Sequence, residues 1–372
     1  MSETNPIPTE HTDPINSQIL AVSEDQVAGF HARPFDVIAD KSGIPLETVL
    51  TRIRTMLEAG VIRRVRQTLL ATNLAEGALV AWEVDDDKLE STFDFMVKND
   101  PFSGHVVLRS TDRETCGANY KLWTTLKVPQ GSSLQEHGDL LRRVTGAHSF
   151  RLMPAKGIFA LGVGHVRRKS LAPGDRVDQP AKMSHVGIVK LNDIEWKVLL
   201  ALKAELTPDE VRSDVWDGRA ARAKLPLDEF LRIAADLDSR KVIGRFSTFL
   251  EHVKPSSKGV RVTRFNGLFH WAVPPGMEER AGGEIGRHLV LTHCYWREGG
   301  PDFGNVNIMA VAHGGEKELV LKHKAAIDKH IEEAGIPVTY TNIFWGGRSE
   351  IKPSEISPHA YAAWRKEMEG RG

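Results

Sequence analysis

The apolar positions come in two rhythms, one of helical and one of strand-like spacing, and their alternation sets the plan of the chain. From Arg33, the stretch RPFDVIADKSGIPLETVLTRIRTMLEAGVIRRV gives a short helix, a turn at Ser42–Gly43 and a second helix opened by Pro45. The second helix carries Val49, Leu50, Ile53, Met56 and Leu57 at helical spacing and is stopped by Gly60. A basic strand, Val61–Val65, follows. The outline is that of a winged helix-turn-helix.

The same outline returns 181 positions later without a gap. Pro45 answers to Pro226, Leu46 to Leu227, Leu50 to Leu231, Met56 to Leu237, Val61 to Val242, Ile62 to Ile243 and Arg64 to Arg245. The chain therefore reads as a tandem repeat. Each copy continues into a second module. Gly77–Val84 and Gly267–Val273 are strands by their β-branched and aromatic content, with Trp82 answering to Trp271. After each come a helical stretch, a strand into a loop, a returning strand (Tyr120–Val128; Val306–His313), a helix (Ser133–Val144; Glu316–Ala334) and a last strand (Gly157–Val163; Pro337–Phe344). The order β-α-β-β-α-β predicts a ferredoxin-like sandwich, so the expected fold class is α+β, a tandem repeat of winged helix-turn-helix plus ferredoxin-like domain.

The expected boundaries follow from composition. Residues 1–22, rich in proline and poor in apolar period, read as a disordered lead-in. Residues 23–72 form the first winged helix-turn-helix, 73–166 the first ferredoxin-like domain and 167–186 a polar linker. Residues 187–252 form the second winged module, opening on a helix capped by Asn192, and 253–350 the second ferredoxin-like domain. Residues 351–372 are a tail with an amphipathic piece around Tyr361–Met368.

Charge and cysteine content narrow the function classes. Forty-nine basic residues balance 49 acidic ones, so no global field draws the protein to nucleic acid or anionic membrane. Cys116 and Cys294 are the two cysteines, which fits a reducing cytosol and excludes a disulfide scaffold, a four-cysteine iron–sulfur cluster or a structural zinc finger. No apolar run approaches the roughly 20 residues of a membrane span, and a cytoplasmic location is expected. Phosphate-loop, HExxH and paired CxxC motifs are absent, and no metal site is expected.

Chemistry concentrates in Leu291–Gly315. His293, Cys294, Tyr295, Trp296 and Arg297 fall in one run, a Gly/Pro/Asp loop follows, and the apolar segment Ile308–Ala312 returns to His313. Two imidazoles and a guanidinium thus sit on one expected hairpin. A lone histidine is more often structural, Trp82 and Trp271 read first as core residues, and Cys294 reads first as a small hydrophobe.

A winged helix-turn-helix followed by a ferredoxin-like domain is the plan of the leucine-responsive/AsnC family of regulators. In detail the chain resembles the siroheme decarboxylases. The residues that carry the resemblance are Gly60-Val61-Ile62-Arg63-Arg64, Trp271-Ala272-Val273-Pro274, Thr292-His293-Cys294-Tyr295 with Arg297, Pro301-Asp302-Phe303, and Asn307-Ile308-Met309 running into His313-Gly314. It spans residues 33–166 and 191–352, and such enzymes pair two related subunits, so the chain looks like both fused. Where the partner-type subunit has H-N-Y-L-R, the first half is read as Arg109-Ser110-Thr111-Asp112-Arg113, keeping Arg113 and losing the histidine. One competent site, in the second half, is expected.

The resemblance implies removal of CO2 from acetate side chains of a siroheme-type tetrapyrrole. It implies no cofactor beyond the iron of that substrate, and pairing into a homodimer through the AsnC-like domains. His293 and His313 are the expected proton donors. Arg245, Arg297, Arg63, Arg64 and Arg113 are the expected carboxylate anchors, with Tyr295, Trp271, Trp296 and Asn307 as further substrate contacts. The alternatives are an AsnC/Lrp-type transcription regulator and a heme- or tetrapyrrole-binding regulatory protein without catalysis. Against DNA stands the second reading helix, which carries Asp228, Glu229, Asp236 and Asp238 against Arg232. The first offers Arg52 and Arg54.

Overall fold

The computed structural model describes residues 7–70, 73–162, 170–184, 187–251 and 264–370. In chain order the elements are α1 (Pro14–Ser23), β1 (Val27–Ala28), α2 (Pro34–Ser42), α3 (Leu46–Glu58), β2 (Ile62–Leu69), β3 (Glu76–Glu83), α4 (Leu89–Asn99), β4 (Ser103–Ser110) and β5 (Leu122–Val128). They continue as α5 (Leu134–Thr145), β6 (Ser149–Pro154), β7 (Gly157–Leu161), α6 (Asp193–Lys203), α7 (Asp217–Ala223), α8 (Leu227–Ser239), β8 (Ile243–Leu250) and β9 (Phe265–Ala272). The last are α9 (Glu278–Gly286), β10 (Leu291–Trp296), β11 (Ile308–Gly314), α10 (Lys317–Glu333), β12 (Tyr340–Ile351) and α11 (Pro358–Glu369). These elements gather into two compact units that cut across the two halves of the sequence. One collects both helix-turn-helix modules and the other both βαββαβ modules.

In the helix-turn-helix unit the repeat is reproduced in its helices and wing strands, with a short 3-10 turn at Pro208–Glu210 where the first copy has β1. The bounds of α3 and α8, and of β2 and β8, differ by the same 181 positions as the sequence match. Gly43 ends α2 in a left-handed conformation (φ 69°), and the capping box of Asn192 and Glu195 opens α6. Each module supplies one long wing strand, and β2 pairs antiparallel with β8, Val65 opposite Thr248. Both wing strands thus gain their main hydrogen-bonding partner from the other copy, in a three-stranded sheet of order β1-β8-β2. Phe246 at its centre packs edge-on against Phe35 at 5.1 Å and Trp216 at 6.1 Å.

The reading of 1–22 as a disordered lead-in is corrected from Ile7 onward. Asp13 caps α1 through the Ile15 and Asn16 amides (3.1 Å each), and Ile19 and Leu20 are fully buried. One helical turn of apolar residues is too short to show a period, and its burial depends on partners distant in sequence. The two candidate DNA-reading arginines are also spent here. Arg52 pairs with Asp13 at 3.1 Å, and Arg54 donates to the Pro208 and Val211 carbonyls at 3.3 and 2.8 Å.

The second unit holds, among the described residues, a nine-stranded sheet of order β6-β3-β5-β4-β12-β9-β11-β10-β7. Each half contributes a βαββαβ set in ferredoxin-like order, β6-β3-β5-β4 and β12-β9-β11-β10. The expected last strand of the first half, Gly157–Val163, is corrected. Its place beside β3 is taken by β6, whereas β7 crosses to pair with β10 of the second half. Val163 lies outside the described residues. β12 does the reciprocal thing, pairing with β9 from Tyr340 and with β4 from Trp345 to Ile351. Edge strands β4 and β10, the natural seams to a second copy, are therefore already paired within the chain.

Strand alternation divides the side chains among three cores. Val80 and Trp82 face the helices of the first half, and Phe269 and Trp271 those of the second. Ala81, Val107, Trp123, Met153, Leu268, Ala272, Met309 and Phe344 meet in a third core on the inner faces. The tail helix α11 joins the first-half core through Tyr361, Trp364 and Met368. Of the expected linker, the described part, 170–184, packs on the second half and on β7, with Ala181 N donating to Gly283 O and Ser184 N to Ile158 O. Residues 167–169 and 185–186 lie outside the described residues. No helix among the described residues is long and apolar enough to cross a membrane.

Candidate active site

The expected hairpin forms, with β10 and β11 paired antiparallel so that His293 faces Val311 and Tyr295 faces Met309. Alternation sends Cys294 into the outer core, where burial pushes its thiol well above the ordinary range. Cys294 is thus a packing residue of that core. His293 and Tyr295 point the other way, their rings stacked at 6.0 Å and 18°. His313 follows Val311 by two residues on β11 and takes the same side of the sheet.

Hydrogen bonding orients the ring of His293. The Thr292 hydroxyl donates to the Val311 carbonyl (3.2 Å), so its oxygen accepts from His293 Nδ1 at 3.0 Å. That contact turns the Nδ1 edge of the ring toward Thr292.

Arg297 closes this end of the hairpin. Its amide donates to Asn307 O (3.0 Å), its guanidinium lies 4.5 Å from the Tyr295 ring centre, and it donates to the Met153 carbonyl of β6. Burial lowers its proton affinity, and no carboxylate among the described residues pairs with it. Arg151, on β6 opposite Ala81, approaches the loop at Gly300, whose left-handed φ of 75° disfavours a side chain there. Further along the loop, Phe303 packs on Tyr120 at 4.9 Å and on Trp123 at 5.5 Å. The first-half loop, residues 111–121, is thus the seat of the second-half loop.

Three expected contacts, Trp271, Trp296 and Asn307, are corrected. Trp271 lies in the outer core, its indole donating to Asp328 at 2.7 Å with Lys324 Nζ 4.6 Å from its ring centre. Trp296 packs toward that core too, under Lys156 Nζ at 5.6 Å. The Asn307 amide accepts from Val273 N (2.9 Å) and donates to Val273 O (2.8 Å) and Glu278 (3.3 Å), so it clamps β11 to the end of β9. Arg63, Arg64 and Arg245 belong to the helix-turn-helix unit. There Arg64 pairs with Glu205 at 3.3 Å, Arg245 donates to Glu24 O at 3.2 Å, and Arg63 is half-buried on β2. Arg113 is exposed in the first-half loop.

The register also corrects the match between the halves. Val107 pairs with Trp123 as Tyr295 pairs with Met309, and Arg109 N donates to Lys121 O as Arg297 N donates to Asn307 O. Arg109, not Arg113, is the counterpart of Arg297, and His105 is the counterpart of His293. Arg109 donates to the Phe344 carbonyl as Arg297 does to the Met153 carbonyl. The signal was legible: His105-Val-Val-Leu-Arg109 repeats the spacing of His293-Cys-Tyr-Trp-Arg297. His105 bonds the Ser349 hydroxyl at 2.7 Å, and Lys127 occupies the position of His313.

His270, which the sequence reading passed over, sits on the inner face of β9, 1% exposed, among Trp123, Phe303 and Phe344. Burial, and then Arg109, push its pKa down to about 3. Burial, and then His330, do the same to His288. Both are neutral when folded, whereas the unfolded chain binds protons below its ordinary value of 6.5. Stability should therefore be full above about pH 6.5 and fall as pH drops toward 3, by up to about 1.4 kcal/mol per pH unit for each group. Thermal melts from pH 8 to 4 check this, and His288→Asn should flatten the slope.

Fold and site together define a fused pair of AsnC-like modules whose hairpin presents histidine and arginine. The "Siroheme decarboxylase NirDL-like HTH domain" matches residues 30–63 and the "AsnC-like ligand binding domain" residues 74–159. A siroheme decarboxylase of Hydrogenobacter thermophilus is 26% identical over 291 residues, 77% of this chain and 80% of that protein. Two crystal structures of the siroheme decarboxylase NirDL share the fold at 20% identity. One has a TM-score of 0.66, covering 95% of this chain and 98% of that one; the other, in co-complex with an iron-uroporphyrin III analogue, has 0.65, covering 96% and 99%. The chain is thus similar to siroheme decarboxylases in its first helix-turn-helix and over most of its length, and it shares the NirDL fold.

Proposed function

We propose that the protein is a siroheme decarboxylase-like enzyme, a non-oxidative carbon–carbon lyase that removes CO2 from acetate side chains of a siroheme-type tetrapyrrole. The observation that carries the reading is one hairpin face holding His293, Tyr295 and His313 beside Arg297, a half-buried cation with no carboxylate partner among the described residues. A guanidinium partly withdrawn from water without an acid is costly by itself, and a ligand that brings one offsets the cost. Domain matches and the Hydrogenobacter relative support the choice of ligand.

The chemistry follows from the residue types. Loss of CO2 from a pyrrole acetate leaves an electron pair that delocalises into the macrocycle, and a proton then converts the methylene carbon to a methyl group. No oxidant is consumed. Arg297 grips a carboxylate of the ligand, Tyr295 supplies an aromatic surface, and His293 delivers the proton, with His313 on the same face of the sheet. One chain supplies both halves of the site-bearing unit, and the helix-turn-helix modules act as scaffold. The regulator reading loses ground because Arg52 and Arg54 are spent inside their own unit.

Anaerobic titration with siroheme, followed by its visible absorbance, tests the binding part. The wild type should saturate, and Arg297→Gln should bind about 10- to 100-fold more weakly, the loss expected for one charge-assisted carboxylate contact. Equal affinity in a folded Arg297→Gln protein would remove this arginine from the site.

A further inference from the structure

On the inner faces of the sheet unit, donors gather at a second point that the reaction above does not use. Arg109 on β4 is 6% exposed, and its Nε has no partner. Its guanidinium reaches Asn266 Oδ1 and Phe344 O through Nη1, both at 3.3 Å, and no carboxylate among the described residues is paired with it. His270 lies close enough for the charge of Arg109 to depress its protonation, and neither of its ring nitrogens has a partner. Asn342 stands directly across the ladder from His270, with its Nδ2 likewise unpartnered. Groups of this kind in a folded interior are nearly always satisfied. An arginine fork, a histidine and an amide with unspent hydrogen-bonding capacity match one chemical class, a carboxylate.

The internal repeat supports the same reading. Arg109 occupies the place of Arg297, down to the carbonyl each reaches on the opposite fourth strand. Around Arg297 the corresponding positions are Ala81 and Arg151, whereas around Arg109 they are His270 and Asn342. The two arginines are thus equivalent in position and differently furnished.

We propose that Arg109, His270 and Asn342 form a second carboxylate-binding subsite inside the sheet unit, which holds an acetate or propionate side chain of the same tetrapyrrole. It rests on the proposed function for the identity of the ligand. Phe303 covers His270 from the loop side, ring centres 6.3 Å apart, and is carried between Gly300 and Gly304, both left-handed. Displacing this ring on its short turn admits the side chain. Arg109 is a positioning residue, fixing the macrocycle so that the acetate opposite meets His293.

The test uses the full chain and iron-uroporphyrin III, a carboxylate-rich probe. Arg109→Gln should weaken binding about 10- to 100-fold, and Arg109→Lys should recover part of the loss. A structure of the wild-type complex should place a probe carboxylate within hydrogen-bond distance of Arg109 and His270. That complex decides the matter even if both variants fail to fold. Wild-type affinity in folded Arg109→Gln, or a complex in which water alone meets Arg109, overturns this inference and leaves the proposed function standing. A wild type that binds neither this probe nor siroheme overturns both.

Discussion

His293→Ala should lower the rate of CO2 release about 10²- to 10⁴-fold, the span typical of a lost general acid, while siroheme binding stays measurable. The expectation rests on the hairpin geometry, in which Thr292 orients the ring through Nδ1. The equivalent change in the first half, His105→Ala, should keep turnover within about threefold, because an exposed or structural contact is worth far less than a proton-donating group. His105 is tied to Ser349, and the strand beside it carries Lys127 where the second half has His313. Single-turnover rates of the two variants, read beside their binding curves, separate the halves. Comparable losses in both would mean two working sites, and full activity of His293→Ala would remove that residue from the mechanism.

A large effect on stability is expected far from the hairpin, at Trp364. Its ring stacks on His137 at 4.5 Å and 15°, packs edge-on against Phe102 at 5.3 Å, and its indole donates to Asn99 O at 2.6 Å. Trp364→Ala should cost about 3–5 kcal/mol, the usual range for emptying a buried aromatic site. Urea unfolding followed by far-UV dichroism reads it as a lower midpoint. An unchanged midpoint would mean that α11 is not part of the first-half core.

The hydrophobic period of α3 and α8, and their 181-residue offset, were legible because an amphipathic helix writes its buried face locally. The β10–β11 hairpin was legible for a similar reason, since Gly299-Gly300-Pro301 breaks two apolar strands. Other features depend on partners distant in sequence. Nothing local distinguishes β7, which leaves its own half, from β6, which stays, because both carry short mixed patterns. The grouping of modules into units could not be read either, as the pairing of β2 with β8 is a long-range choice. Around the hairpin, His293, Tyr295, His313 and Arg297 were picked out by residue type and spacing, and the fold brings them together. Trp271 and Asn307 were misjudged because strand phase and neighbours, not residue type, decide which side chains face a ligand. His270 and Arg109 were passed over for the same reason: each is a polar residue in an apolar strand whose importance appears when its inner-face neighbours are known.

The central claim is that this chain decarboxylates a siroheme-type tetrapyrrole. Incubating the purified full-length protein with siroheme in the absence of oxygen, and following the product by mass spectrometry, tests it most directly. The account predicts a product lighter by two CO2 units, formed without any added oxidant. Tight binding of siroheme with its mass unchanged would contradict it.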